Sequence, residues 1–155
     1  MTLKKDVEAL RQIPLFAKID PGKLKLLAFT SEHLMFMRGD ELFQQGDVGD
    51  AAYIILEGDA DILVDTPNGP VNVAQVHKND IVGEIAILCD VPRTATVKAK
   101  NDLATLRVSK DGFFHLVTQF PQVGIEIMGE LASRLHDTTQ QLTKAKTELA
   151  SGSSS

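Results

Sequence analysis

The chain has 155 residues, 43% hydrophobic and 24% charged, a size and balance that suit one soluble domain with a sizeable core and flanking helices. Its net charge of −5 argues against a general nucleic-acid surface. A single cysteine, Cys89, excludes an internal disulfide or a cysteine-ligated cluster, and no apolar run reaches membrane-spanning length.

Val7 and Leu10 lie at helical spacing between Lys4 and Gln12, and Pro14 ends that segment. Asp20-Pro21 reads as an N-cap followed by proline at the first helical position, with Leu24, Leu27 and Ala28 as the apolar face. From His33 the texture changes to short apolar runs: Leu34-Met35-Phe36-Met37, Glu41-Leu42-Phe43 and Ala52-Tyr53-Ile54-Ile55-Leu56. Arg38-Gly39-Asp40, Gln45-Gly46-Asp47 with Gly49-Asp50, and Glu57-Gly58-Asp59 are the turns between them. Ala60, Ile62 and Val64 alternate with Asp59, Asp61 and Leu63. Thr66-Pro67-Asn68-Gly69 is a hairpin signal, after which Val71 and Val73 resume the alternation. Ala95, Val97 and Ala99, then Ala104, Leu106 and Val108, mark two more strands. The total of about eight short strands, spaced roughly ten residues apart, is the pattern of a sandwich or roll.

Ser109 is an N-cap ahead of Phe113, Leu116 and Val117, and Pro121 interrupts. A final helix is expected from about Val123 to Leu149. Met128, Leu131, Leu135, Thr138, Leu142, Ala145 and Leu149 recur along it at spacings of three and four. That narrow seam, weakened at Thr138 and Ala145, suits a second helix, most simply from a symmetry mate, or else a long helix with a frayed end. The closing Ser-Gly-Ser-Ser-Ser reads as a disordered tail.

Chemistry concentrates between Ile81 and Ala99. Gly83 lets backbone approach a ligand, and a helical turn beginning after it offers N–H groups to an anion. Arg93, ten residues on, can return to that point and give phosphate a forked, charge-assisted contact. Glu84 is an acceptor suited to a sugar hydroxyl, and the apolar run Ile85-Ala86-Ile87-Leu88 lowers the local dielectric. The ligand so described is a small anion carrying a ribose. An isolated Glu84–Arg93 surface ion pair beside an ordinary turn is the plainer alternative.

Val82-Gly83-Glu84-Ile85-Ala86 followed by Pro92-Arg93-Thr94-Ala95-Thr96 resembles the phosphate-binding cassette of cyclic-nucleotide-binding domains, with Val82 where that family often has Phe. The resemblance covers most of the chain, roughly from Leu15-Phe16 to Leu135. It implies a mainly β fold with flanking helices: an eight-stranded β-roll of jelly-roll topology, N-terminal helices and a long C-terminal helix. The expected organisation is an N-terminal helical segment at 1–30, the β-roll at 31–108 with its cassette at 82–96, C-terminal helices at 109–150 and the tail at 151–155. Gly46, Gly49 and Gly58 match the family's turn glycines.

The resemblance also implies roles. Glu84 would accept from the ribose 2′-OH and Arg93 would neutralise the cyclic phosphate. The N–H groups of Ala86 and Thr94 would complete the anion site, with Gly83, Ile85 and Ala95 beside them. Val64, Val71, Val76 and Val82 are the candidate base contacts, and Arg134 or Leu135 would cap the base. The Thr94 hydroxyl permits cGMP without demanding it, and cAMP is slightly preferred. The expected function is a non-catalytic cytoplasmic sensor of cAMP or cGMP that relays occupancy through the last helix and needs no cofactor or metal. The alternative is an interaction or dimerisation module on the same scaffold without nucleotide. Expected partners are the nucleotide and a second copy through the C-terminal helix, with no membrane segment. No helix-turn-helix follows the long helix, so DNA binding by this chain is not expected. His33, His77, His115 and His136 are too scattered to suggest a metal enzyme. Cys89 reads as a small apolar filler.

Overall fold

The computed structural model describes residues 3–153; in the last helix the side chains of Glu130, Arg134, Leu135, Asp137, Thr138, Gln141, Ala145, Lys146 and all from Glu148 onward lie outside the description. Helices α1 (Leu3–Arg11) and α2 (Pro21–Phe29) come first. Strands β1 (Glu32–Phe36), β2 (Glu41–Phe43), β3 (Ala51–Glu57), β4 (Ala60–Thr66), β5 (Gly69–Val76) and β6 (Ile81–Val82) follow. A short helix α3 (Glu84–Cys89) separates them from β7 (Thr96–Ala99) and β8 (Leu103–Ser109). Helices α4 (Lys110–Gln119) and α5 (Pro121–Ser153) complete the chain. The strands form two antiparallel four-stranded sheets, in the orders β1-β8-β3-β6 and β2-β7-β4-β5.

One turn recurs at the strand ends, and it accounts for several of the aspartates. In Met37–Asp40, Gln44–Asp47 and His77–Asp80 the fourth residue's carboxylate accepts the first residue's N–H, at 2.8, 3.0 and 2.8 Å. The aspartate N–H returns to the first residue's carbonyl in all three. The third position is left-handed each time: Gly39 at φ 92°, Gly46 at 92° and Asn79 at 73°. Glycine enters that region freely, and asparagine is among the few other residues that do. The helix starts are equally local, since Asp20 accepts from Gly22 N–H at 3.4 Å and Ser109 from Gly112 N–H at 3.0 Å.

The core lies in two layers that share β3. Tyr53 and Ile55 face the interior of the roll with Leu42, Val82, Val97 and Leu103. Ala52, Ile54 and Leu56 face the opposite way, against Leu10 and Phe16 from the N-terminal region and Phe113, Leu116, Val123 and Ile127 from α4 and α5. Because both faces are covered, β3 is an unbroken apolar run and not an alternating one. Each fully buried Ile or Leu contributes about 1.5–3 kcal/mol, so this shared strand ties the helices at both ends to the roll. Thr105 is the buried polar residue of β8, and its hydroxyl donates to the Leu34 carbonyl at 2.9 Å.

Three local expectations change. The ladder between β4 and β5 shifts register between Ile62 and Leu63, so Val73 has no partner and drops out of the alternation with Val71. The last helix extends through Ser153, so helical backbone includes residues 151–153 of the expected tail, and Ser154 and Ser155 lie outside the described residues. Cys89 is exposed at the end of α3 and fills no core space. The seam residues Met128 and Leu142 are exposed and Leu131 packs partly against the helical core. Leu135, Thr138, Ala145 and Leu149 have side chains outside the described set.

Candidate functional site

A cavity of about 240 Å³ opens between the two sheets beside α3, lined by Gly83, Glu84, Ile85, Ala86, Arg93, Thr94 and Ala95 of the cassette. Phe43, Ile62, Val76, Ile81, Val82 and Val97 close the rest of its wall. Glu84 and Arg93 are 8% and 4% exposed, so two residues of types seldom buried meet in one enclosed space. Neither lies at the surface, where the plainer sequence reading put an ion pair.

Arg93 is held from every side. Its Nη1 donates to the Gly83 carbonyl at 2.9 Å and its Nη2 to the Ala51 carbonyl at 2.7 Å. Its Nε is buried and has no hydrogen-bond partner among the described residues. The guanidinium carbon lies over the ring of Phe43. The main chain is pinned too: Arg93 N–H donates to the Asp47 carbonyl and Gly46 N–H to the Arg93 carbonyl, at 2.8 and 2.9 Å. The loop between α3 and β7 is thereby fastened to the Gln44–Asp47 turn. Burial pushes the Arg93 pKa down, while Tyr53, Asp50 and Asp47 act to raise it. A guanidinium does not lose its proton at any ordinary pH, so the outcome is a retained cation with much of its water removed.

Two glycines make this packing feasible. Gly83 has φ 85° and caps α3, and a Cβ there would collide with Arg93 Nη1 and stand 3.2 Å from the Phe43 ring. At Gly49 a Cβ would collide with the Ala86 Cβ and lie 3.3 Å from the Arg93 guanidinium carbon. Gly49 was read from sequence as a turn residue, but here it acts as a spacer. α3 has no side-chain cap at its start, and first-turn N–H groups have no partners within a helix. Ala86 lines the cavity from that turn and Thr94 lies at its exposed rim.

Among the expected base contacts, Val76 and Val82 line the cavity and Val64 and Val71 do not. Val64 pairs with Val71 one inward-facing position beyond Ile62, about 7 Å further along the strand, and that step carries both past the rim. Ile62 and Val97, neighbours across the β4–β7 ladder, occupy the wall instead. Sequence reasoning also missed Phe43 as a site residue. Its signal was faint, because a three-residue strand shows too little alternation to say which way its side chains point. Arg134 and Leu135 belong to α5, and their side chains lie outside the described residues.

Residues 33–120, more than half of the chain, match the family described as "Cyclic nucleotide-binding domain". A cAMP-dependent protein kinase regulatory subunit from Blastocladiella emersonii is 32% identical over 136 residues, covering 87% of this chain and 31% of that protein. A CRP-like cAMP-activated global transcriptional regulator from Mycobacterium tuberculosis is 26% identical over 87% of this chain and 61% of its own length. This chain thus spans less than two thirds of either relative. The crystal structure of the N-terminal domain of a Streptomyces coelicolor transcriptional regulator superposes with a TM-score of 0.75 at 30% identity, covering 85% of this chain and 95% of that one. With the two-sheet roll, the helices at both ends and the Gly-Glu and Pro-Arg elements around one cavity, these matches agree on one assignment: the chain belongs to the cyclic nucleotide-binding domain family.

Proposed function

We propose that the chain is a non-catalytic sensor that takes cAMP or cGMP into this cavity and reports occupancy through its C-terminal helices. The observation that carries the reading is the joint burial of Arg93 and Glu84 in one apolar-walled space. A dehydrated guanidinium with one buried, unpartnered donor is stabilised by an anionic oxygen, since leaving such a donor unsatisfied costs about 1–3 kcal/mol. Arg93 therefore takes the cyclic phosphate, with the N–H groups of Ala86 and Thr94 beside it, and Glu84 accepts from the ribose 2′-OH. Val76, Val82, Ile62 and Val97 form the apolar wall on which the base rests.

The relay runs through α3. Ala86 and Glu84 line the cavity, whereas Ile87 of the same short helix is buried in the cluster that includes α4 and α5 residues. A ligand that favours one placement of α3 biases the cluster that Ile87 shares with those helices. The relatives' names describe regulators of a kinase and of transcription, and a regulatory role suits this chain. Exposed Met128 and Leu142 on the α5 seam favour a second reading in addition, in which two copies pair along that helix. Sedimentation with and without nucleotide tests that pairing.

Calorimetric titration with cAMP and cGMP tests the main proposal. Arg93→Ala should weaken binding at least about a hundredfold while the domain still folds. Glu84→Ala should cost much with cAMP and little with 2′-deoxy-cAMP. Unchanged affinity in the first case, or equal losses in the second, would remove the corresponding contact.

A further inference from the structure

We propose that Arg107 is a positioning residue for the anion site: it holds the Asp50 carboxylate away from Arg93 and so leaves that guanidinium available to phosphate. The inference rests on the nucleotide reading above. Asp50 stands in the chain between Ala51, which binds the Arg93 guanidinium, and Gly49, whose missing side chain leaves room for it. Ala51 accepts from Nη2 at 2.7 Å, and a Cβ on Gly49 would lie 3.3 Å from the guanidinium carbon. The Asp50 charge acts on the same cation, raising the Arg93 pKa against the effect of burial. Arg–carboxylate forks are among the strongest side-chain pairings, so an internal partner there competes directly with an incoming phosphate.

The carboxylate is engaged elsewhere. Arg107 Nη2 lies 3.2 Å from Asp50 Oδ2, and Nη1 lies 2.9 Å from Glu32 Oε1. Arg93 makes no ion pair among the described residues, and its acceptors are carbonyls and an aromatic ring. The two partners differ in freedom. The Arg107 side chain is 21% exposed, sits opposite Tyr53 in the β3–β8 ladder, and donates a hydrogen bond to Glu32. The Asp50 side chain is 73% exposed, while its main-chain carbonyl is fixed by Lys110 N–H at 2.8 Å. Only the carboxylate is free to swing, and Arg107 decides which way. An exposed ion pair contributes little to stability, so its effect is expected in ligand affinity and not in folding.

The test is calorimetric titration of the full chain with cAMP. Arg107→Ala should weaken binding about five- to tenfold with little change in thermal unfolding. Arg107→Lys, which can still pair with Asp50, should recover most of the loss. Adding Asp50→Asn to Arg107→Ala should return affinity to within about twofold of the unaltered chain, because the competing charge is gone. A merely structural role for Arg107 predicts no such rescue. Unchanged affinity in Arg107→Ala, or failure of Asp50→Asn to restore it, overturns the proposal. Should Arg107→Ala not fold, Arg107→Gln is read in the same way. If the unaltered chain binds neither cAMP nor cGMP, the nucleotide reading itself fails; if it binds and ignores Arg107, only this inference does.

Discussion

The guanidinium carbon of Arg93 stands 3.9 Å from the centroid of the Phe43 ring. A cation over an aromatic face gains most where water is excluded, and this one is almost wholly buried. Phe43→Leu retains much of the apolar volume and removes the ring. Nucleotide affinity should fall about three- to tenfold, measured by calorimetry beside a thermal melt that shows the domain intact. Wild-type affinity in this variant would mean that the two carbonyl contacts alone orient Arg93.

Gly49→Ala places a methyl group against the Ala86 Cβ and close to the Arg93 guanidinium. Overpacking of this kind costs about 1–3 kcal/mol, read from urea unfolding. Ala86→Gly in the same chain should recover a large part of the loss, because it removes the atom in collision. Simple addition of the two penalties would show that Gly49 is needed for some other reason.

Asn79 holds the left-handed position of the third recurring turn at φ 73°. Asn79→Ala should destabilise the domain by about 1–2 kcal/mol, whereas Asn79→Gly should stay within about 1 kcal/mol of the parent. Denaturant midpoints for the pair decide it. Equal effects would place the requirement in the asparagine side chain and not in the backbone.

His77 Nδ1 lies 2.6 Å from Asp59 Oδ1, and Asn101 donates to the other oxygen at 3.0 Å. The His77 contact, then the Asn101 hydrogen bond, hold the Asp59 carboxyl below its ordinary 3.8. A depressed folded pKa means that the contribution is complete above the ordinary value and lost as pH falls through the folded one. The effect is therefore confined to acid, below about pH 4. His77→Ala should move the Asp59 midpoint part of the way back toward 3.8 in an NMR titration, with Asn101 supplying the remainder. An unmoved midpoint would show that Asn101 alone sets it.

The caps at Asp20 and Ser109, the Gly-Asp turns and the β4–β5 hairpin were legible because each is closed by residues a few positions apart. Glu84 and Arg93 were legible too, because their types and spacing are unusual together. Val64 and Val71 fall outside the cavity lining, since alternation gives a face without saying how far along it a cavity extends, and the Val73 bulge breaks the ladder where no turn residue announces it. Phe43 and Gly49 were read only as strand and turn, because the ring under Arg93 and the space left for it come from residues far from Arg93 along the chain.

By itself the amino-acid sequence determined where helices start, where strands turn, and that one glycine, one glutamate and one arginine of the right spacing stand in a single stretch. Those are short-range matters of φ, capping and side-chain type. Tertiary structure alone decided that β3 serves two cores, that Ile62 and Val97 wall the cavity, and that Arg93 rests on Phe43 and the Ala51 carbonyl while Arg107 takes Asp50. These pairings depend on sheet register and on how the layers close, and both are set by the sum of many distant contacts and not by any one residue's neighbours along the chain.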